Sequence, residues 1–178
     1  VTVFDVDPAR MRRIEETTRG AVRTRFSTEL DVARACAGAD LVIGAALVPG
    51  TRTPRLVTRR TVESMRPGSV LVDVAIDQGG CFEDSRPTTH SAPTFEVDGR
   101  LFYCVANMPG AVPHTSTYAL TNATLPYVSA LADAGWHGAC RARRDLARGL
   151  STHAGFLYAA GVGESLGLPI ADITALVD

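Results

Sequence analysis

The sequence predicts an α/β protein built on a doubly wound parallel sheet, and three observations predict it. Short β-branched or apolar runs alternate with helical segments of about ten residues through the first hundred positions, the pattern of βαβ units joined by right-handed crossovers. Two of the runs, 40–47 (DLVIGAAL) and 69–76 (SVLVDVAI), are apolar without strict alternation, as suits strands covered on both faces. Breakers follow each: Val48-Pro49-Gly50 after the first, Gln78-Gly79-Gly80 after the second.

Each element has a local reason. Val1-Thr2-Val3-Phe4 reads as a strand with no lead-in, so the chain is expected to start inside a fold whose first strand lies upstream. Asp5-Val6-Asp7-Pro8 stops it, and 8–18 starts as a helix with Pro in its first turn and a narrow buried stripe at Met11 and Ile14. A strand over 22–26, a helix over 29–37 and the run 40–47 follow; 56–65 is helical until Pro67-Gly68 ends it, and 69–76 is the next strand. The connection 78–93 is longer than α/β loops need, and long loops past a strand's carboxyl end are where sites lie. Segments 94–97 and 101–105, joined by Asp98-Gly99, form a hairpin whose second strand enters the main sheet. A long helix over 113–134 is expected to kink near Thr124 because of Pro126; a shorter helix spans 136–148, and the mixed tail holds one more near 162–166.

Composition excludes several functions. Of 178 residues 46% are apolar and 21% charged, enough to bury a core. The formal net charge of -1 lacks the basic excess of a nucleic-acid partner. All 18 basic residues are Arg, so no amine of this chain can form a Schiff base. Cys36, Cys81, Cys104 and Cys140 form no CxxC pair, and His90, His114, His137 and His153 no HxH or HxxxH, so reduced thiols and no metal site are expected. The longest apolar stretch, 41–48, is too short to span a bilayer, and no signal peptide opens the chain; a soluble cytoplasmic protein is expected.

The chemistry-bearing candidates gather at predicted strand ends. Asp5 closes a strand at a βα turn, where an acid binds ribose hydroxyls in a dinucleotide fold, although the same residues also suit a helix cap. No GxGxxG occurs here; that turn precedes the acid by about 20 residues and would lie upstream. Asp77 leaves the end of a buried strand before two glycines that permit close approach, either as a proton-transferring carboxylate or as an Asx turn. Asp73, mid-strand, reads as a hydrogen-bonded structural acid. Asn107, in ANMPG, can orient a carboxamide or carbonyl or simply hold a turn. Loops converging on one sheet edge favour a shared crevice. Arg86 in the long loop reads either as a surface residue or as a cation within reach of an anionic group, and Arg141, Arg143 and Arg144 read as a solvated face.

The segments LVIGAALVPG, MRPGSVLVDVAIDQGGCFEDSRPTTH, PTFEVDGRLFYCVANMPGAVPHTSTYALTNATLPYV and GLSTHAGFLY together resemble bacterial L-alanine dehydrogenase, of the alanine dehydrogenase and transhydrogenase family. The resemblance covers almost the whole chain. It implies a Rossmann-like NAD-binding domain over 1–125, without its first strand and glycine-rich turn, and over 126–178 a helix and C-terminal segment returning to an absent substrate domain. It implies Asp77 as the catalytic carboxylate, Asp5 on the adenosine ribose and Ser27 near the adenine. It places Ala46, Leu47 and Val48 along the cofactor, and Ile76, Asn107 and Met108 beside the nicotinamide. The implied reaction is reversible NAD-dependent deamination of L-alanine to pyruvate and ammonium, in a homo-oligomer that the family makes hexameric. The substrate-binding arginine and lysine and the catalytic histidine belong to the other half, so this chain alone is expected not to turn over alanine. A truncated nucleotide-binding or oligomerisation module, a transhydrogenase-type NAD-binding subunit and a methyltransferase are the competing readings. An acid at Asp5 favours NAD over NADP, because a carboxylate repels a 2′-phosphate.

Overall fold

Residues 1–177 are described by a computed structural model, in two compact units: 1–46 with 54–106, and 47–53 with the chain from Asn107 onward. In the first unit β1 (Thr2–Asp5) and β2 (Arg23–Phe26) pair in parallel, with Thr2 opposite Arg23 and Asp5 opposite Phe26. Parallel neighbours need a crossover, and α1 (Pro8–Thr17) supplies it. Asp7 caps α1, its Oδ1 accepting from Ala9 N at 2.8 Å, while Pro8 takes the first helical position, where an N–H would have no helical partner. Thr28 caps α2 (Glu29–Ala37) by accepting from Asp31 N at 3.1 Å.

From α2 the chain enters a four-stranded sheet of order β3-β4-β6-β5: β3 (Leu41–Gly44), β4 (Val70–Asp73), β5 (Thr94–Val97) and β6 (Arg100–Tyr103). β3, β4 and β6 are mutually parallel, and β5 returns antiparallel to β6 around Asp98-Gly99, as the hairpin signal predicts. α3 (Arg59–Ser64) crosses from β3 to β4. The core lies under this sheet. Phe102 is fully buried, edge-on to Phe82 at 6.1 Å and stacked on Phe95 at 5.2 Å, among Val62, Met65 and Leu71. Arg100, also buried, donates to the carbonyls of Glu63 and Met65 and so covers the C-terminal end of α3 with a cation.

The second unit carries α4 (Pro113–Ala142), α5 (Arg144–Arg148), a hairpin of β7 (Thr152–His153) and β8 (Phe156–Leu157), α6 (Ala160–Leu166) and α7 (Thr174–Val177). Tyr118, Leu120, Leu125 and Val128 of α4 are all exposed.

Three expectations need correction. The helix over 56–65 begins only at Arg59, because Leu56 N and Val57 N both donate to Cys81 O and Glu83 N donates to Val57 O, an extended pairing that defers the helix to the Thr58 cap. The strands over 40–47 and 69–76 stop together at Gly44 and Asp73, which face each other in register. The break in α4 falls at Gly135 (φ 65°, ψ 170°), between the helices expected over 113–134 and 136–148, and the backbone stays helical near Thr124, where a kink is expected. Pro126 lies on an exposed stretch where water can take the carbonyl it leaves unpaired, and Thr124 Oγ1 donates to Leu120 O at 2.8 Å. Gly135 has the left-handed φ that glycine adopts without strain.

Candidate functional site

Because β3, β4 and β6 run in parallel, their carboxyl ends share one edge. Ala46 follows β3 there, half-buried. Past β4 the backbone winds into a 3-10 turn, Ile76–Gln78, so Ile76 and Asp77 stand beyond the strand and not on it. Ile76 points into the core at 4% exposure, and Asp77 is exposed at the rim. Gly79 (φ 98°) and Gly80 (φ 80°) close the turn in a conformation that side-chain-bearing residues rarely take. At Gly80 space is short as well, since a Cβ would lie 2.6 Å from Asp73 Oδ2.

Asp5 ends β1. Its Oδ1 accepts from Val6 N at 2.7 Å and Asp7 N at 2.9 Å, which holds the carboxylate at the strand end. The helix cap is Asp7 and not Asp5. Ser27 is brought beside Asp5, donating its N–H to Asp5 O at 2.9 Å. Asp5 also lines a shallow cleft of about 320 Å³ with Arg10, Arg13, Ile14, Thr17 and Thr18.

Leu47, Val48, Asn107 and Met108 belong to the second unit. Leu47 and Val48 are exposed, Met108 is half-buried, and Asn107 is exposed with a left-handed backbone (φ 52°, ψ 54°) that leads into the 3-10 turn Met108–Ala111. Asn tolerates that conformation better than most residues. The sequence offered no signal for Ser85, whose hydroxyl reaches the buried Asp73 across the loop.

Cys36, Cys81 and Cys104 are free and buried, and burial pushes each thiol above its ordinary range. The unfolded chain releases those protons near pH 8.5, about the ordinary thiol value, and the folded chain holds them to higher pH. Their contribution to stability is therefore complete below that pH and is lost above it. Urea midpoints measured from pH 7 to 10 are expected to fall above about pH 8.5, and to fall less in the triple Cys→Ser variant; equal slopes in the two proteins would refute the assignment. Among the described residues no helix is long and apolar enough to cross a membrane.

Comparison with known proteins agrees with this architecture. The family "Alanine dehydrogenase/PNT, C-terminal domain" matches residues 1–159. The alanine dehydrogenase of Mycolicibacterium smegmatis is 59% identical over 172 residues, 97% of this chain and 46% of that protein. That of Mycobacterium tuberculosis H37Rv is 55% identical over the same shares. A solved L-alanine dehydrogenase superposes with a TM-score of 0.79 at 47% identity, over 94% of this chain and 46% of its own. A transhydrogenase from Sinorhizobium meliloti reaches 0.57 at 33% identity, over 66% of this chain and 33% of that one. The chain spans about half the length of the curated relatives it matches. By sequence and by fold, this chain belongs to the alanine dehydrogenase/PNT family and corresponds to its C-terminal domain.

Proposed function

We propose that this chain is the NAD-binding half of an alanine dehydrogenase, which converts L-alanine, NAD⁺ and water to pyruvate, ammonium, NADH and a proton. The observation that carries the reading is two carboxylates of the first unit, Asp5 closing β1 of the two-stranded sheet and Asp77 on the turn past β4 of the four-stranded sheet. The residues fit a dinucleotide: Asp5 is held at its strand end by two amides, Ser27 adjoins it, and Gly79 brings no Cβ to the rim beside Asp77. When bound, NAD would supply the acceptor for the hydride leaving the alanine α-carbon.

In this reading Asp5 takes the adenosine ribose hydroxyls and repels a 2′-phosphate, and Ser27 lies toward the adenine. Ala46, Leu47 and Val48 follow the cofactor, while Asn107 and Met108 border the nicotinamide; Ile76, whose side chain lies in the core, anchors the turn that carries Asp77. Asp77 accepts a proton as amine becomes imine and water adds. The substrate cations come from the other half, so the isolated chain leaves alanine unchanged. The functional boundary falls at 125/126, with 126–178 serving the substrate domain. The exposed apolar side chains of α4 support assembly into a homo-oligomer, a hexamer by the resemblance.

The test joins this chain to the N-terminal half of the M. smegmatis relative. The fused protein is expected to reduce NAD with L-alanine. Asp5→Asn is expected to raise the KM for NAD about tenfold or more, the loss of one hydrogen bond to a charged group. A folded fusion that neither binds NADH in a fluorescence titration nor turns over alanine would end the proposal.

A further inference from the structure

We propose that Asp73 is the positioning residue of this site, a buried carboxylate that ties down both feet of the arch carrying Asp77. The inference rests on the reading of Asp77 as the proton acceptor, and it goes beyond that reading by naming what holds Asp77 in place.

Asp73 ends β4 and is 0% exposed. A carboxylate removed from water needs donors in place of its hydration. The loop after β4 provides them, from both of its ends. Oδ1 accepts from Ala75 N at 3.2 Å, on the near foot. Oδ2 accepts from Cys81 N at 2.8 Å, from Phe82 N at 3.4 Å and from Ser85 Oγ, on the far foot. Residues 76–80, Asp77 among them, form the arch between the two sets of anchors. The arch is also laced within, as Gln78 N and Gly80 N donate to Ala75 O and Gly79 N to Ile76 O, each at 3.0 Å. Gly80 passes so close over Asp73 that no Cβ fits between them. Ser85 Oγ accepts in turn from Cys104 Sγ at 3.8 Å, which joins the far foot to the chain just past β6.

The chemistry requires a carboxylate and not merely a polar group. Its two oxygens act on opposite feet, and Asn has one acceptor oxygen. An amide at 73 would satisfy one foot and turn N–H donors toward the donors of the other. Glu would push a further methylene into space already closed by Gly80. The arch therefore depends on Asp at this position, and with it the placement of Asp77, where small displacements of a catalytic group cost rate.

Amide hydrogen exchange on this chain, with kinetics on the fused enzyme, tests the assignment. In Asp73→Asn, exchange across 75–82 is expected to speed up by about 10- to 150-fold, the loss of one hydrogen bond to a charged group, with the rates of β1, β2 and α2 unchanged. The fused variant is expected to lose kcat about 100-fold while its KM for NAD stays within about threefold, the split of a displaced catalytic group rather than a weakened binding site. Asp73→Glu is not expected to rescue it. Should Asp73→Asn fail to fold, Ser85→Ala removes one anchor of the far foot and is expected to raise exchange at Cys81 and Phe82 alone. Unchanged exchange across 75–82 in Asp73→Asn or Ser85→Ala, or a uniform rise over the whole chain, overturns the proposal. Asp77→Asn separates the two readings: full turnover in that variant refutes the role of Asp77 and leaves the exchange result for Asp73 standing.

Discussion

Asp77→Asn in the fused enzyme is expected to lower kcat by about 10²- to 10⁴-fold, the range for removing a general acid–base group, with NADH affinity nearly unchanged. The expectation follows from where the side chain stands. Asp77 is exposed on a 3-10 turn past the sheet edge, whereas Ile76 beside it is in the core. Asn keeps the size and loses the proton-accepting charge, so a drop in kcat isolates the chemistry. A variant with wild-type kcat, or one that loses NADH binding in proportion to turnover, would show that Asp77 serves only the cofactor or the turn.

Phe102→Ala is expected to destabilise the first unit by about 3–5 kcal/mol, the usual cost of emptying an aromatic site in a close-packed core. Phe102 is 0% exposed and stands between Phe82 and Phe95, so its removal opens a cavity that two neighbouring rings line. The sheet hydrogen bonds of β6 on both sides limit how far the backbone can collapse into that cavity. Urea unfolding followed by far-UV circular dichroism measures the loss, and a change below about 1 kcal/mol would mean that the site repacks.

Much of this protein is legible in its residues because the signals are local. The helix over 29–37 and β5, before the Asp98-Gly99 turn, appear where the sequence pattern puts them. The acids and amide at the strand ends stand out because a polar residue after an apolar run marks a carboxyl edge. Other features depended on partners distant in sequence. Leu56 and Val57 have helical neighbours, yet they pair with the chain at Cys81 and Phe82. Pro126 looks like a kink in α4, but solvent exposure there makes a missing hydrogen bond tolerable, and the break falls at Gly135, where the sequence already divides two helices.

The sequence by itself determined the wound α/β class, because apolar run length and period are properties of neighbouring positions. Only the tertiary structure decided where β4 stops, and so where Asp77 stands. Asp73 gathers an amide 8 residues ahead and a hydroxyl 12 residues ahead into one buried carboxylate, and no local pattern encodes a contact that exists only once the loop has closed over the strand.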